Sequence, residues 1–454
     1  MRFSKALVLA VPLGALALAS PTDASACGGC LAPPVVQQTE ATIVTGHKMV
    51  LSISQAQTTL WDQITYSGQP ESFAWVLPIR GKVDIGLSSD LLFQTLDQLT
   101  QVTVSSPVIQ CDPPPSCGNN SGLASAGGED FGSSGTGGQE PPVTVLAEEV
   151  VGPYETVQLK SSDPGALQAW LDAHGYEIPA DVVPVINAYV SEGFDFLALK
   201  LVPGQGVQAM KPVRVTSPGA TPVLPLRMVA AGTGVTTPIT LWVAGEGRYE
   251  TTNMPTFTIE AGQILWNWET SSSNYAGLKH AEFEKSGGKA WLVEDAEPLP
   301  LWSIQGPINS AAKYDPTRSG YGDPITGEGA AEEATADLAA LLGGMGPSNG
   351  LWLTRLHGEL SRAALGEDLQ LGASSNQSIV ERYLQTTLSV GTPPPCPTYP
   401  PCGGGGTFGP FGGGGRFKSS GTASCAMTDG AGAPAMLGGI ALAAALIAAR
   451  RRRR

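Results

Sequence analysis

The stretch ALQAWLDAHGYEIPADVVPVINAYVSEGFDFLALKLV, residues 166–202, decides the fold. It encodes two short helices and then a strand, with each boundary marked. Asp163 stands where a side-chain cap belongs, and Pro164 stands at the first helical position, where its missing N–H is not needed. Leu167, Trp170 and Leu171 share one helical face. His174 and Gly175 end that helix: a basic residue in the last turn, then a glycine able to turn left-handed. A second helix starts near Pro184, buries Ile186, Tyr189 and Val190, and stops at Gly193. In the strand, Leu197, Leu199 and Leu201 point one way; Phe194, Phe196 and Ala198 point the other. Apolar residues on both faces predict a strand in the middle of its sheet.

Upstream of this unit the period is two. His47, Met49, Leu51 and Ile53 alternate with Lys48, Val50, Ser52 and Ser54, and Gly46 marks a turn before them. Trp61 to Tyr66 and Phe73 to Leu77 read as the next strands, and Pro78 ends the second or places it at an edge. A helix from Ser89 to Leu99 buries Leu92, Leu96 and Leu99. Val143 to Val151 and Tyr154 to Leu159 form a hairpin across Gly152-Pro153.

Downstream, Val207 to Thr216, Pro222 to Ala230 and Pro238 to Ala244 are strands whose prolines suggest edges or bulges. Trp242, Trp266, Trp268 and Trp291 are core material, with an exposed aromatic platform as the functional alternative. A helix from Asn274 to Glu284 and a strand from Ala290 to Val293 follow. Residues 303–329 read as irregular. Ala331 to Leu342 is a helix, Leu351 to Leu356 a strand, and Ile379 to Leu388 a last helix. The fold class is α+β, mainly antiparallel β-sheets with a few packed helices.

The two ends have their own composition. Residues 1–26 read as a signal peptide: Arg2 and Lys5, an apolar run from Ala6 to Ala19, then Ala24-Ser25-Ala26 with cleavage after Ala26. The exported α+β domain then covers 27–390. Within it 112–142 is rich in Gly, Ser, Asn and Pro and reads as a disordered insertion. Residues 391–429 read as a Pro/Gly-rich linker. Residues 430–449 carry no charge and would span about 30 Å as a helix, at about 1.5 Å per residue. Arg450 to Arg454 fix that end in the cytoplasm.

Export into an oxidising compartment sets how the seven cysteines are read. Cys111 and Cys117 enclose DPPPS, Cys396 and Cys402 enclose PTYPP, and each reads as a local disulfide. Cys27 and Cys30 form C-x-x-C: a structural disulfide, a redox pair, or half of a metal site. Cys27 at the mature start also fits a lipoprotein signal, although Ala24 stands where that signal prefers leucine. Cys425 is unpaired and lies just before the apolar tail; it is the candidate for sorting or lipidation.

The formal net charge is −14. The exported part is more acidic still, because Arg2, Lys5 and Arg450 to Arg454 lie outside it. This excludes nucleic acid and anionic lipid as partners of the folded domain. No D-x-D-x-D-G calcium loop is present, and no cofactor is implied. Gly346 to Gly350 fits G-x-S-x-G in a reversed context, with a helix before and a strand after. Ser310 to Lys313 fits S-x-x-K without its companion motifs. His280 opens H-A-E-F-E, which is not H-E-x-x-H. Glu332 and Glu333 would repel a phosphate at Gly327-Glu328-Gly329. His174 reads as a helix-end residue and His357 as a satisfied polar one.

Four pieces carry a family resemblance: Ala26-Cys27-Gly28-Gly29-Cys30, FAWVLPI (73–79) with SSDLLFQTLDQ (88–98), the 166–202 stretch, and LTRLHGELSRAALGEDLQL (353–371). Together they resemble the secreted bacterial family known as domain of unknown function 2330. The resemblance implies an exported protein of unassigned activity and supplies no catalytic residues. The tail resembles the myxobacterial C-terminal sorting tag: a cysteine, a membrane helix, then arginines. That likeness implies export and sorting machinery as partners and the membrane as a partner through the C-terminal helix. Two functions follow as expectations. The first is a binding or structural module of the cell envelope, tethered by its tail, its ligand unknown. The second is an exported hydrolase or thiol oxidoreductase whose site is assembled only in three dimensions.

Overall fold

The computed structural model describes residues 30–31, 43–67, 74–111, 145–160, 162–174, 182–202, 210–230, 235–345 and 351–398. The expected signal peptide, the insertion, Cys27, Cys117, Cys402, Cys425, the membrane segment and the arginine tail lie outside them. Among the described residues no helix is long and apolar enough to cross a membrane.

In chain order the elements begin β1 (Cys30–Leu31), β2 (Ile43–Ile53), β3 (Gln57–Ser67), β4 (Ala74–Ile79), β5 (Asp84–Leu87), α1 (Asp90–Thr100) and β6 (Thr103–Ser105). Next come β7 (Val145–Val151), β8 (Tyr154–Leu159), α2 (Pro164–Ala173), α3 (Val183–Ser191), β9 (Asp195–Leu201), β10 (Val213–Pro218), β11 (Val223–Leu224) and β12 (Thr236–Gly245). Then follow β13 (Tyr249–Thr251), β14 (Thr256–Phe257), β15 (Leu265–Asn267), β16 (Ser272–Ser273), α4 (Tyr275–Lys285), β17 (Trp291–Leu299), α5 (Trp302–Tyr314) and α6 (Ala330–Leu342). The last are β18 (Leu351–Ser361), β19 (Leu369–Ala373), β20 (Tyr383–Gln385) and β21 (Leu388–Val390).

Two sheets dominate. One has five strands in the order β1-β4-β9-β8-β7, and the other has eight in the order β14-β17-β18-β12-β2-β3-β10-β5. Their facing sides share one apolar core: Leu197, Leu199 and Leu201 of β9 meet Met49 and Leu51 of β2 and Ile239 and Leu241 of β12. Phe196 and Ala198 face the other way, under α2 and α3. The alternate residues of the larger sheet, Val50, Trp61, Trp242 and Leu353, lie under α1, α5 and α6. The order is therefore helices, sheet, sheet, helices. Each fully buried leucine of these faces contributes roughly 1.5–3 kcal/mol.

The 166–202 unit is built as its residues dictate. The Asp163 side chain accepts from Gly165 N at 2.8 Å, α2 starts at Pro164, and α3 buries Ile186, Tyr189 and Val190. β9 is the middle strand of its sheet.

Five expectations are corrected. Gly46 is not a turn: it sits at a bulge inside β2, where a Cβ would meet the Pro238 carbonyl oxygen at 3.1 Å. That opening lets Pro238 sit at the start of β12, which lies between β2 and β18 and is not an edge. Pro78 does not end β4; it pairs with Phe196 inside it, and its other side is an edge, as the second alternative had it, because β1 reaches only Ala74 and Trp75. Residues 302–314 form α5, with Pro307 inside the helix, where irregular chain was expected. Residues 379–388 are not a helix: β20 pairs in parallel with β6, and β21 with β15.

Candidate functional site

Between the two sheets the packing is incomplete. A cavity of about 120 Å³ lies where the end of β4 crosses β2, β3 and β10. Its walls include Leu77 and Ile79 from the smaller sheet and Leu51, Leu60 and Val215 from the larger one. Val223 and Pro225 line one side. Arg80, Phe194, Ser217 and Thr221 supply further lining, and Arg80 is exposed. A second void of about 20 Å³ shares Leu60, Leu77 and Pro225 as a common wall, and Asp62 lines it.

Local chemistry fixes Arg80. β4 stops at Ile79, and the chain turns through Gly81 at φ +69°, whose N–H donates to Asp195 Oδ2 at 3.1 Å. The Arg80 guanidinium lies over the Phe194 ring at 3.9 Å. Phe194 meets Tyr189 edge-on at 5.0 Å, and Arg227 covers Tyr189 at 4.0 Å. Arg227 donates twice to Glu192, each bond 2.7 Å, and also to Asp368. The Arg227 bonds, aided by Arg80, hold the Glu192 carboxyl below its ordinary range. Burial beside Asp368 pushes the Tyr189 phenol up. Among the described residues the Arg80 guanidinium makes no hydrogen bond, so its donors remain available.

Beyond the second void, Asp62 Oδ1 lies 3.2 Å from His47 Nδ1. Both side chains are buried, and His47 Nε2 has no partner among the described residues. The hairpin register places them together: Met49 pairs with Asp62 and His47 with Ile64, so both face the inter-sheet core. The lining of the second void contains no hydroxyl or thiol.

Two further polar clusters lie on the helix side of the larger sheet. Asp337 of α6 accepts from Trp61 Nε1 at 2.5 Å, Ser88 Oγ at 2.5 Å, Tyr321 OH at 2.9 Å and Arg214 at 3.4 Å. Burial pushes its carboxyl upward against the pull of those donors. Arg355 donates to Glu294 and Asp97, each at 2.6 Å. Burial opposes charge on Asp97, yet bonds from Lys48 and Arg355 hold its pKa down.

Asp295 is different. It stands at a bulge in β17, opposite Arg355, fully buried, with neither carboxylate oxygen partnered among the described residues. Burial, then the neighbouring Glu297, pushes its pKa up to about 8, against Arg382 and Arg355.

The sequence-predicted site residues fare unevenly. Cys111 is bonded to Cys396, not to Cys117, and this corrects both expected local pairs. The physical reason is the parallel pairing of β6 with β20, which carries the two chain segments side by side across a separation of 285 residues. Cys30 lies in β1, opposite Trp75. His280 is exposed beside Glu284 at 3.4 Å, and His174 stacks on Trp170 at 3.7 Å. Trp242 and Trp291 are core, while Trp266 and Trp268 are half-buried and meet edge-on at 6.2 Å. Sequence reasoning missed Asp62, Arg80 and Asp295. For Asp62 a signal existed: its alternation places it among core residues. Among the described residues no group of three or more His, Cys, Asp or Glu could hold a metal ion.

Fold and site together define a two-sheet α+β domain with an apolar cleft between its sheets. The chain belongs to the family described as an uncharacterized protein conserved in bacteria, domain of unknown function 2330, whose family model matches residues 21–371. No curated protein matches it. The chain is similar to two crystal structures of a mutated baculovirus P35 after caspase cleavage. For one, identity is 11%, 48% of this chain and 70% of that chain are covered, and the TM-score is 0.24. For the other, identity is 10%, coverage is 45% and 66%, and the TM-score is again 0.24. These likenesses bear on neither mechanism nor partners.

Proposed function

We propose that the chain is an exported binding module of the cell envelope, displayed on a C-terminal tether, which takes a small apolar ligand into the cleft between its sheets. The observation that supports this reading is the cleft itself. Interiors are normally close-packed, and a cavity of about 120 Å³ lined mainly by apolar side chains supports a ligand site. The apolar signal and tail segments support export and tethering, with Cys425 as the point where the tail is processed or lipidated. A single acyl chain binds membranes only marginally, so retention needs the uncut helix or a second chain.

Ligand-observed NMR against a mixture of small apolar compounds tests the binding part. Thr221→Trp fills the cleft from its half-buried wall and serves as the control. At least one compound should bind, and Thr221→Trp should abolish it. Absence of any binder, or binding that survives the filled cleft, removes the reading. Cell fractionation tests export: an intact, unprocessed chain in the cytosol defeats it. Cys425→Ser should change the C-terminus and reduce surface display with the fold intact.

A further inference from the structure

We infer that the cleft selects small apolar carboxylates, bound with the carboxylate at Arg80 and the tail among Leu60, Leu77 and Val215. The inference rests on the cleft being a binding site and adds the ligand's chemical class and orientation.

Three observations carry it. The first is size. At about 120 Å³ the cavity is comparable to engineered apolar cavities of about 150 Å³ that hold benzene. A phenyl ring or an alkyl tail of about six carbons fits that space, and a long acyl chain does not. The second is polarity along the cleft. The second void, which shares Leu60, Leu77 and Pro225 with the cavity, is lined by Asp62, an acidic side chain already engaged by His47. An anionic head would be repelled there, so the tail goes in and the head stays out. The third is Arg80. Its guanidinium is stacked on Phe194, which itself lines the cavity, and Gly81 N–H to Asp195 fixes the backbone beside it. Of the acidic groups beside Arg80, Glu192 already takes two bonds from Arg227 and Asp195 accepts from the Gly81 N–H. A planar fork with free donors matches one carboxylate in a bidentate pair. On a chain of net charge −14, a lone pre-oriented arginine beside an apolar cavity gives local attraction to a single negative charge. It is undersized for a doubly charged phosphate monoester.

The test uses the full-length chain in nanodiscs, with empty nanodiscs as the blank, and isothermal titration with straight-chain carboxylates, hexanol and hexyl phosphate. Affinity should rise by about fourfold per methylene up to about six carbons and then level off. Hexanoate should bind more tightly than hexanol and hexyl phosphate. Arg80→Gln should weaken hexanoate by about tenfold or more and leave hexanol unchanged. Arg80→Lys should restore part of the loss. Arg80 is exposed, so neither variant threatens folding. If hexanol equals hexanoate, if hexyl phosphate binds best, or if Arg80→Gln leaves hexanoate unaffected, the ligand class is wrong and the binding reading stands. If affinity keeps climbing beyond eight carbons, the size argument is wrong. If none of the probes binds, both inferences fall.

Discussion

The two faces of the eight-stranded sheet are built to different ends. The face under α1, α5 and α6 mixes fully buried apolar residues with charged side chains whose partners are fixed: four donors on Asp337, and Arg355 shared between Glu294 and Asp97. The face toward the five-stranded sheet is almost wholly apolar, yet it is the one that leaves room. Directional bonds hold one face in a single arrangement. Apolar contact, with the His47–Asp62 pair as its charged exception, fills the other and tolerates a gap. The proposed ligand site lies on the side without such a lattice, where the Arg80 guanidinium, without a hydrogen bond among the described residues, meets the cavity. Asp295 sharpens the contrast, because burial without donors has moved its pKa where donors keep Asp97 low.

The comparison can be broken most forcefully at Asp337. Asp337→Ala leaves Arg214, Trp61, Ser88 and Tyr321 facing an emptied site and should cost about 3–5 kcal/mol in denaturant unfolding. A loss below about 1 kcal/mol would mean that the polar lattice does not distinguish the faces. Next, Cys111→Ser should lower stability by about 2–4 kcal/mol. Peptide mapping of the non-reduced protein should find Cys111 joined to Cys396, whereas a Cys111–Cys117 peptide would overturn the link between the chain after β6 and the chain after β21.

Asp295 gives a smaller, pH-dependent effect. Its folded pKa, about 8, lies above the ordinary carboxyl value, so the native state holds a proton that the unfolded chain releases. The stability that this proton supports is present in full below about pH 4 and declines as pH rises to about 8, by at most about 1.4 kcal/mol per pH unit. Asp295→Asn should flatten that decline, read as melting temperature against pH. An unchanged slope would show that other groups carry it. Smallest of all, Val223→Ala on the cleft wall should cost under about 1 kcal/mol, since the residue is half-buried and already faces a void. A loss near that of Asp337→Ala would erase the difference between the faces.

Much of this fold was legible. The caps and apolar faces of 166–202 predicted α2, α3 and the central place of β9, because those signals are local. What failed was set by distant partners. Residues 303–329 read as irregular, yet Ile304, Ile308 and Ala312 keep a four-residue spacing, and Pro307 lies on the exposed side of α5. Ile379 to Leu388 reads as a helix, but Ile379, Tyr383 and Leu388 are exposed on a segment held by β6 and β15. Pairing across the molecule overrode that reading. The same pairing made the Cys111–Cys396 link invisible in sequence. Of the candidate site, Leu51 and Leu77 were read as strand residues, but nothing local says that two sheets leave a gap there. Arg80 reads as a residue after a strand, and only the turn at Gly81 and the Phe194 stack give it a direction.

The central claim is that the space between the sheets is a binding site with a polarity. A crystal structure of the chain grown with hexanoate tests it most directly. The predicted result is one hexanoate with its carboxylate about 2.7–2.9 Å from the Arg80 guanidinium and its tail against Leu60, Leu77 and Val215. A cleft that stays empty while hexanoate sits elsewhere, or a carboxylate buried toward Asp62 with the tail at the mouth, would contradict it.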